Sequence, residues 1–585
     1  MSALAIAAMV GGGVLAAVPA AADPPSSLNG YRNVGYFAQW GVYARDFRLK
    51  QLQDSGSAAD LTHINYAFGN IDNQSLECFI ANKAQGEGPS GSDGAGDAYA
   101  DFGMGYTAAN SVSGTADTWD QPLAGSFNQL KQLKQLHPDL TPMISLGGWT
   151  WSKNFSSAAA TDASRKKLVS SCIDLYIKGN LPTIDGRGGP GAAAGVFEGI
   201  DIDWEWPGSP NGNVGNVVDA ANDRNNFKLL LKEFRTQLDA YGATTGKEYT
   251  LSAFLPANPV DIRSGGWNDP EIFRYLDFGN VQGYDFWGGW APSLTGHQGN
   301  LFDDPRDTRP AGQRFSVQAA VEQYTDAGIA PAQLGLGLAM YGRGWQGASS
   351  SAAWGAASGT APGKYEAGNN NYDDIRSLGT DYFDASVGAA WRHDGSQWWS
   401  YDSPRSVDQK AKWIVSTGLG GAMWWDLSGN RDGSLMDSVT GVLRTAPTGP
   451  VTVPVDPEEP PVDPEEPPVD PEEPPVEPGT CSAPPWDQAA IYLKGDVASA
   501  GGIRYTAKWW TKGEQPATSA VWEAAGSCGT GQPPTTTPPT VAAWSAGTAY
   551  VAGAQVAYGG SIFVARWWTQ GDAPGSSEWG PWARA

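Results

Sequence analysis

The chain has 585 residues, 38 Lys and Arg against 62 Asp and Glu, a formal net charge of −24 and 41% hydrophobic residues. That leaves room for one large barrel with small modules attached. The acidity argues against nucleic acid or an anionic membrane as partner, since both are bound by basic surface. The 4 His and 4 Cys show no zinc-like spacing, while the 26 Trp suit a ligand with flat apolar faces, such as a sugar ring.

Residues 3–22 are almost wholly apolar or small and end in Ala20-Ala21-Ala22, as in an export signal with a small-residue cleavage site. No Lys or Arg precedes Arg32, so the basic n-region is missing, as after a truncated start. A membrane anchor or a disordered Ala-rich tail is the competing reading. The stretch is short for a span and lacks a stop-transfer flank, and no later segment is long and apolar enough to cross a bilayer. The expectation is a signal peptide over 1–22 and a secreted, extracellular protein.

Between residues 30 and 445, apolar strand-like runs lie at 33–39, 61–68, 141–147, 199–205, 249–255, 280–286, 334–341 and 420–425, with helix-length stretches such as 227–238 between them. The pattern predicts the α/β class: a parallel (β/α)8 TIM barrel whose strands are buried on both faces. The count of eight leans on the family resemblance given below. Two intervals are long. Residues 69–140 contain a Gly/Ser/Asp-rich stretch at 86–105, predicted as surface loop. Residues 342–418 contain alternating aromatic segments at 391–393 and 397–401, predicted as an inserted α+β lobe. Cys78 and Cys172 can pair in an oxidising compartment, but sequence alone leaves this open.

The run Gly199-Ile-Asp201-Ile-Asp203-Trp-Glu205 carries most of the chemistry. On a strand, side chains alternate faces, so Asp201, Asp203 and Glu205 share one face at steps of about 6.6 Å. Like charges stacked in a poorly solvated barrel raise at least one pKa. Three readings compete: a wet acidic face, a site for a hard cation, and a general acid at Glu205 that shares charge or a proton with Asp203. Burial of a parallel barrel strand on both faces disfavours the first.

Downstream, Val455-Asp-Pro-Glu-Glu-Pro-Pro461 recurs from Val462 and from Val469. Proline forbids helix and sheet, so 450–480 is predicted as an extended, semi-rigid linker. Its three Asp and seven Glu supply −10 of the −24. Next, Tyr505-Thr-Ala-Lys-Trp509-Trp510-Thr511 returns as Phe563-Val-Ala-Arg-Trp567-Trp568-Thr569, an offset of 58 that Trp486 and Trp544 share, while Trp522 and Trp579 differ by one. This predicts two small all-β modules, 481–528 and 541–585, joined by a Pro/Thr linker at 529–540. Cys481 and Cys528 bracket the first copy and could staple it. Adjacent tryptophans on a strand face opposite ways, so one of each pair packs and the other is exposed.

The Asp201-Ile-Asp203-Trp-Glu205 run resembles the D-x-x-D-x-D-x-E motif of family 18 glycoside hydrolases, the bacterial chitinases. In the same order, Gly35-Tyr36-Phe37, His63-Ile-Asn-Tyr-Ala-Phe68, Ser145-Leu-Gly-Gly148-Trp149, Tyr284-Asp285-Phe286, Tyr341-Gly-Arg343-Gly-Trp345 and Gly420-Gly-Ala-Met423-Trp-Trp425 resemble its other strands. The lobe resembles the chitinase insertion domain and the repeats resemble family 5/12 carbohydrate-binding modules. Two positions depart from the family: Glu198 stands where its motif begins with Asp, and Gln282 where a sixth-strand Met is usual. Glu198 lies an odd number of residues from Asp201, so a structural role is expected there.

The resemblance implies hydrolysis of β-1,4 links in chitin by substrate-assisted retention, an exception to the two-carboxylate scheme. In that scheme the 2-acetamido oxygen attacks its own anomeric carbon and forms an oxazolinium. Glu205 is implied as acid and then base. Asp203 would hold the acetamido N–H and stabilise the cation, Asp201 would tune Asp203, and Tyr284 would donate to the acetamido oxygen. Asp285 and Arg343 would contact sugar hydroxyls, Trp425 would floor the subsite, and Trp149 and Trp290 would line the flanking groove. Tyr36, Phe68, Ser145, Gly148, Gln282, Met340 and Tyr341 complete the implied substrate-binding set. Tyr505, Trp509, Trp510, Phe563, Trp567 and Trp568 are expected on the chitin-facing surface of the modules. No metal or cofactor is implied, and the partners expected of a monomer are chitin polymer and chito-oligosaccharides. An endo-β-N-acetylglucosaminidase acting on glycoproteins and a non-catalytic chitin-binding lectin are the alternatives.

Overall fold

In the computed structural model, the described residues are 26–81, 97–449 and short stretches between 485 and 584. The expected signal segment, the repeats at 455–475, Cys481, Cys528, Trp509, Trp510, Trp567, Trp568 and Trp579 lie outside them. No helix among the described residues is long and apolar enough to cross a membrane. The chain divides into two units, 1–461 and 462–585.

In the first unit, eight strands run parallel: β1 (Arg32–Ala38), β2 (His63–Ile71), β3 (Thr141–Gly147), β4 (Gly199–Asp203), β5 (Thr250–Leu255), β6 (Phe278–Val281), β7 (Leu334–Ala339) and β8 (Gly421–Trp425). Each pairs with the next. β1 pairs with β2 through Val34 and His63 and with β8 through Arg32 and Gly421, which closes a (β/α)8 TIM barrel. Closure leaves no open edge and buries both faces of each strand. All five residues of β4 are buried, including Asp201 and Asp203, so the wet-face reading is excluded.

The apolar stripe predicted at 227–238 belongs to helix Asp223–Thr245, which buries Phe227, Leu230, Leu231, Phe234 and Leu238 on one face. Each such side chain contributes about 1.5–3 kcal/mol of burial. The helix stops at Gly246, whose φ of 69° is the left-handed conformation glycine adopts without strain.

Part of the loop expected at 86–105 is instead packed. Asp97, Ala100, Asp101 and Phe102 are buried, with the Asp101 carboxyl accepting from Tyr66 at 2.6 Å and Gln39 at 2.5 Å. Burial pushes Asp101 up to about 7. Cys78 and Cys172 form a disulfide with their Cα atoms 4.9 Å apart.

The lobe is an antiparallel sheet around Tyr341–Gln346, with Trp398–Tyr401, Ala389–His393 and Thr380–Asp384 following on one side. The helix Pro404–Thr417, which the sequence reading included in the lobe, follows this sheet and leads back to β8.

The second unit contains two similar sheets. In the first, Ile503–Ala507 pairs with Val497–Ala500 and Trp522–Ser527; in the second, Ser561–Ala565 pairs with Gln555–Tyr558 and Trp582–Arg584. Trp522 faces Ala507 and Trp582 faces Ala565, so these two tryptophans hold equivalent places in the two sheets. Both tryptophans are buried. Tyr505, expected on the binding surface, also lies in its module's core, and Phe563 packs against the core of the other copy. A core this small needs every large ring it has.

Candidate active site

β4 delivers Asp201 and Asp203 to the barrel interior. The Asp201 carboxylate accepts three hydroxyls: Tyr36 at 2.6 Å, Ser145 at 2.8 Å and Ser252 at 2.5 Å. These donors come from β1, β3 and β5, so the anion is held from three strands. They occupy the oxygens a hard cation would need. Burial raises the Asp201 pKa, and the hydroxyls offset part of that rise.

The strand ends at Asp203, so Glu205 is not carried by the alternation that the sequence suggests. The two carboxyls nevertheless meet and share a hydrogen bond. Asp203 Oδ1 is buried with no hydrogen-bond partner. Burial raises the Asp203 pKa well above the carboxylate range, and the charges of Glu205 and Asp201 push the same way. Glu205 is pushed up to about 8, chiefly by burial, with Asp285 and Asp261 adding to the rise and the Asp203 hydrogen bond opposing it. The pair therefore holds a proton near neutral pH.

Above the pair opens a cleft of about 1690 Å³. The segment beyond β6 brings Tyr284 and Asp285 to its wall, although β6 itself ends at Val281. The Tyr284 hydroxyl lies 3.9 Å from the Met423 sulfur and interacts with Asp203, Asp285 and Glu205. Burial keeps this phenol protonated, and so a donor. Arg343 clamps Asp285 through two bonds of 2.7 and 2.9 Å and lies over the rings of Trp290 and Tyr341. Trp425 stacks on Phe68 at 5.6 Å. Trp149 and Trp290 are half exposed at the rim.

Phe68, Trp149, Asp203, Glu205, Gln282, Tyr284, Asp285, Trp290, Tyr341, Arg343 and Trp425 thus share one cleft. Tyr36, Ser145 and Asp201 stand behind its wall as one hydrogen-bonded group. Gly148 is packed against the Phe68 ring, where a Cβ would come within 2.6 Å of it. Met340 is also behind the wall, its main chain bonded to Trp425 and Tyr372. These four, expected to bind substrate, are supports for the wall and not part of it. Glu198, as expected, is structural and pairs with Lys134 at 2.7 Å.

The wall also holds Trp40, Trp151, Asn211, Asp261, Asn371 and Asp426, which the sequence reading did not single out. All but Asn371 come from segments that follow the C-terminal ends of barrel strands. Their position along the chain was therefore the signal available.

The model of the family described as Glycosyl hydrolases family 18 matches residues 32–430. The chain belongs to glycosyl hydrolase family 18. Carbohydrate-binding module family 5/12 matches residues 485–523 and 543–583. Among curated relatives, Chitinase C of Streptomyces lividans is 38% identical over 408 residues, covering 68% of this chain and 57% of that protein. Chitinase 63 of Streptomyces plicatus is 37% identical over 423 residues, covering 70% and 60%. The family 18 chain thus spans about three-fifths of the length of these relatives. The solved catalytic domain of psychrophilic chitinase B from Arthrobacter TAD20 is 66% identical with a TM-score of 0.72, covering 74% of this chain and 99% of that one.

Proposed function

We propose that this family 18 protein is a secreted chitinase that cleaves β-1,4 links between N-acetylglucosamine units with retention, the acetamido oxygen of the substrate acting as nucleophile. The observation that carries the reading is the pairing of the buried Asp203 with the partly exposed Glu205 beside Tyr284 in the cleft. A protonated Glu205 delivers its proton to the glycosidic oxygen and, as carboxylate, then activates water. The Asp203 carboxyl, which lines the cleft, takes the acetamido N–H, and its charge stabilises the oxazolinium. The Tyr284 hydroxyl, bonded only weakly to the Met423 thioether, turns to the acetamido oxygen and fixes its approach. No protein nucleophile is required. Trp425 offers a ring to the cleaved sugar and the Asp285–Arg343 clamp offers polar edges to its hydroxyls. The two family 5/12 modules are assigned to the chitin polymer.

The test is hydrolysis of chito-oligosaccharides. Glu205→Gln should lose about 10²–10⁴-fold in kcat with KM little changed. Near wild-type turnover in that variant removes the acid from the scheme. Oligomers carrying a free amine at the cleaved sugar should not react, and efficient cleavage there overturns assisted attack. A protein that binds chito-oligosaccharides without cleaving them would be the lectin instead.

A further inference from the structure

In a barrel, the main chain of each strand finds its hydrogen-bond partners on the two neighbouring strands. β4 stops at Asp203, so the Glu205 peptide groups need partners from elsewhere. Two side chains supply them. Ser152 Oγ accepts the Glu205 N–H at 2.8 Å and is 2.9 Å from the Gly148 carbonyl and 3.0 Å from the Asp203 carbonyl, to which it can donate. It is fully buried. Asn216 Nδ2 donates to the Glu205 carbonyl at 2.8 Å. Gly212 leaves room for this contact: a Cβ there would stand 2.4 Å from the Glu205 oxygen and 2.7 Å from Asn216 Nδ2.

The two partners come from different segments. Ser152 follows the short helix Gly148–Trp151, beyond β3. Asn216 belongs to the loop beyond Glu205, which is pinned in turn. Ser209 and Asn211 donate to Asp261 at 2.5 and 2.8 Å, and the Val217 N–H bonds the Lys153 carbonyl at 3.0 Å. Neither Ser152 nor Asn216 lines the cleft.

We propose that Ser152 and Asn216 are positioning residues that set the Glu205 carboxyl against Asp203 by holding its main chain on both sides of its Cα. The inference rests on Glu205 acting as the acid. Releasing either clasp lets the carboxyl drift from the leaving-group oxygen while the sugar-binding wall stays intact. The groups facing Glu205 are Asp203 from β4, Tyr284 and Asp285 from the segment beyond β6, with Asp285 paired to Arg343, and Asp261 from the helix Pro259–Gly265. Displacement towards solvent relieves the burial that chiefly raises the Glu205 pKa, which outweighs the lost Asp203 bond, and so weakens the hold of Glu205 on its proton.

The experiment compares Ser152→Ala and Asn216→Ala with the intact chain on a chito-oligosaccharide and on an aryl chitobioside with a good leaving group. It records kcat, KM, the pH profile of kcat/KM and Tm. Asn216 is partly exposed on a surface loop, so its variant folds even if the Ser152 variant does not. The expected result is a loss of kcat on the oligosaccharide of about 10–100-fold with KM within about twofold. The loss on the aryl substrate should be smaller, because a good leaving group needs less protonation, and the alkaline limb should move to lower pH. Equal losses on both substrates with an unmoved limb, or unchanged kcat in Asn216→Ala, would overturn the proposal. Wild-type turnover in Glu205→Gln would instead sink the acid reading beneath it.

Discussion

In the proposed mechanism two carboxyls and a phenol carry the chemistry at the residue scale, and their protonation gives it a pH dependence of definite sign. Glu205 acts as an acid only while protonated, and it is held up at about 8. Activity should therefore fall as pH rises through that region. Asp261 contributes to the elevation by its charge, so Asp261→Asn, which keeps an oxygen to accept from Ser209 and Asn211, should bring the alkaline limb to lower pH. An unmoved limb in a kcat/KM profile would exclude that contribution. The same group affects stability. Its folded pKa lies above the unfolded value of about 4.3, so the native state binds the proton more tightly and loses stability as pH rises between the two. Glu205→Gln removes this loss, and its Tm advantage over wild type should be larger at about pH 8 than at about pH 5. Equal gains at both pH values in a thermal-shift assay would contradict the assignment. That three acids on alternate residues form a site was legible in the sequence. That the third is held by Ser152 and Asn216 was not, because a strand's end depends on which neighbouring chain segments remain to pair with it.

The elements were the most legible level. The eight predicted strands correspond one to one with β1–β8, because a strand buried on both faces must be apolar along its length. The reading overran at β4 and β6, where the acidic and aromatic residues beyond Asp203 and Val281 continue the composition of a strand after its ladder has ended. β2 also extends further than expected, to Ile71, where it pairs with Cys78–Phe79. The disulfide joins this extension to helix Asp162–Cys172 across 94 residues, and the Cys78 N–H bonds Ser171 Oγ at 2.9 Å. Cross-linking so long a loop restricts the unfolded chain, so Cys78→Ala with Cys172→Ala should cost about 2–5 kcal/mol and lower Tm. Hydrolysis well below that Tm should persist, because the bridge is remote from the cleft wall. A Tm equal to wild type would mean that the bridge does not restrain the unfolded state. Four cysteines allow three pairings, and only the approach of their Cα atoms selects this one.

At the scale of the whole molecule, the catalytic barrel and the repeat modules are separate units. The acidic Pro-rich repeat contributes −10 to the charge. Tethering a binding module raises its partner's effective concentration at a polymer surface and does nothing for a soluble oligomer. Removing 453–585 should therefore weaken binding and hydrolysis of crystalline chitin and spare chito-oligosaccharides, measured as initial rates on each. Equal losses on both would refute the division of labour. Tyr505→Ala should unfold its module rather than erase a surface contact, since the ring is core. The sequence by itself determined the inserted lobe, the repeat and the file of acids, and with the family resemblance the eight strands of the barrel, because periodicity, composition and spacing are properties of neighbours along the chain. Tertiary structure alone decided that Met340, Tyr36, Ser145 and Gly148 lie behind the cleft wall, that Tyr505 is buried, that Trp582 answers Trp522, and that Glu205 is held by Ser152, 53 residues away. Each of these depends on what a distant segment brings against the residue, and hydrogen bonds and packing between distant segments leave no period in the sequence.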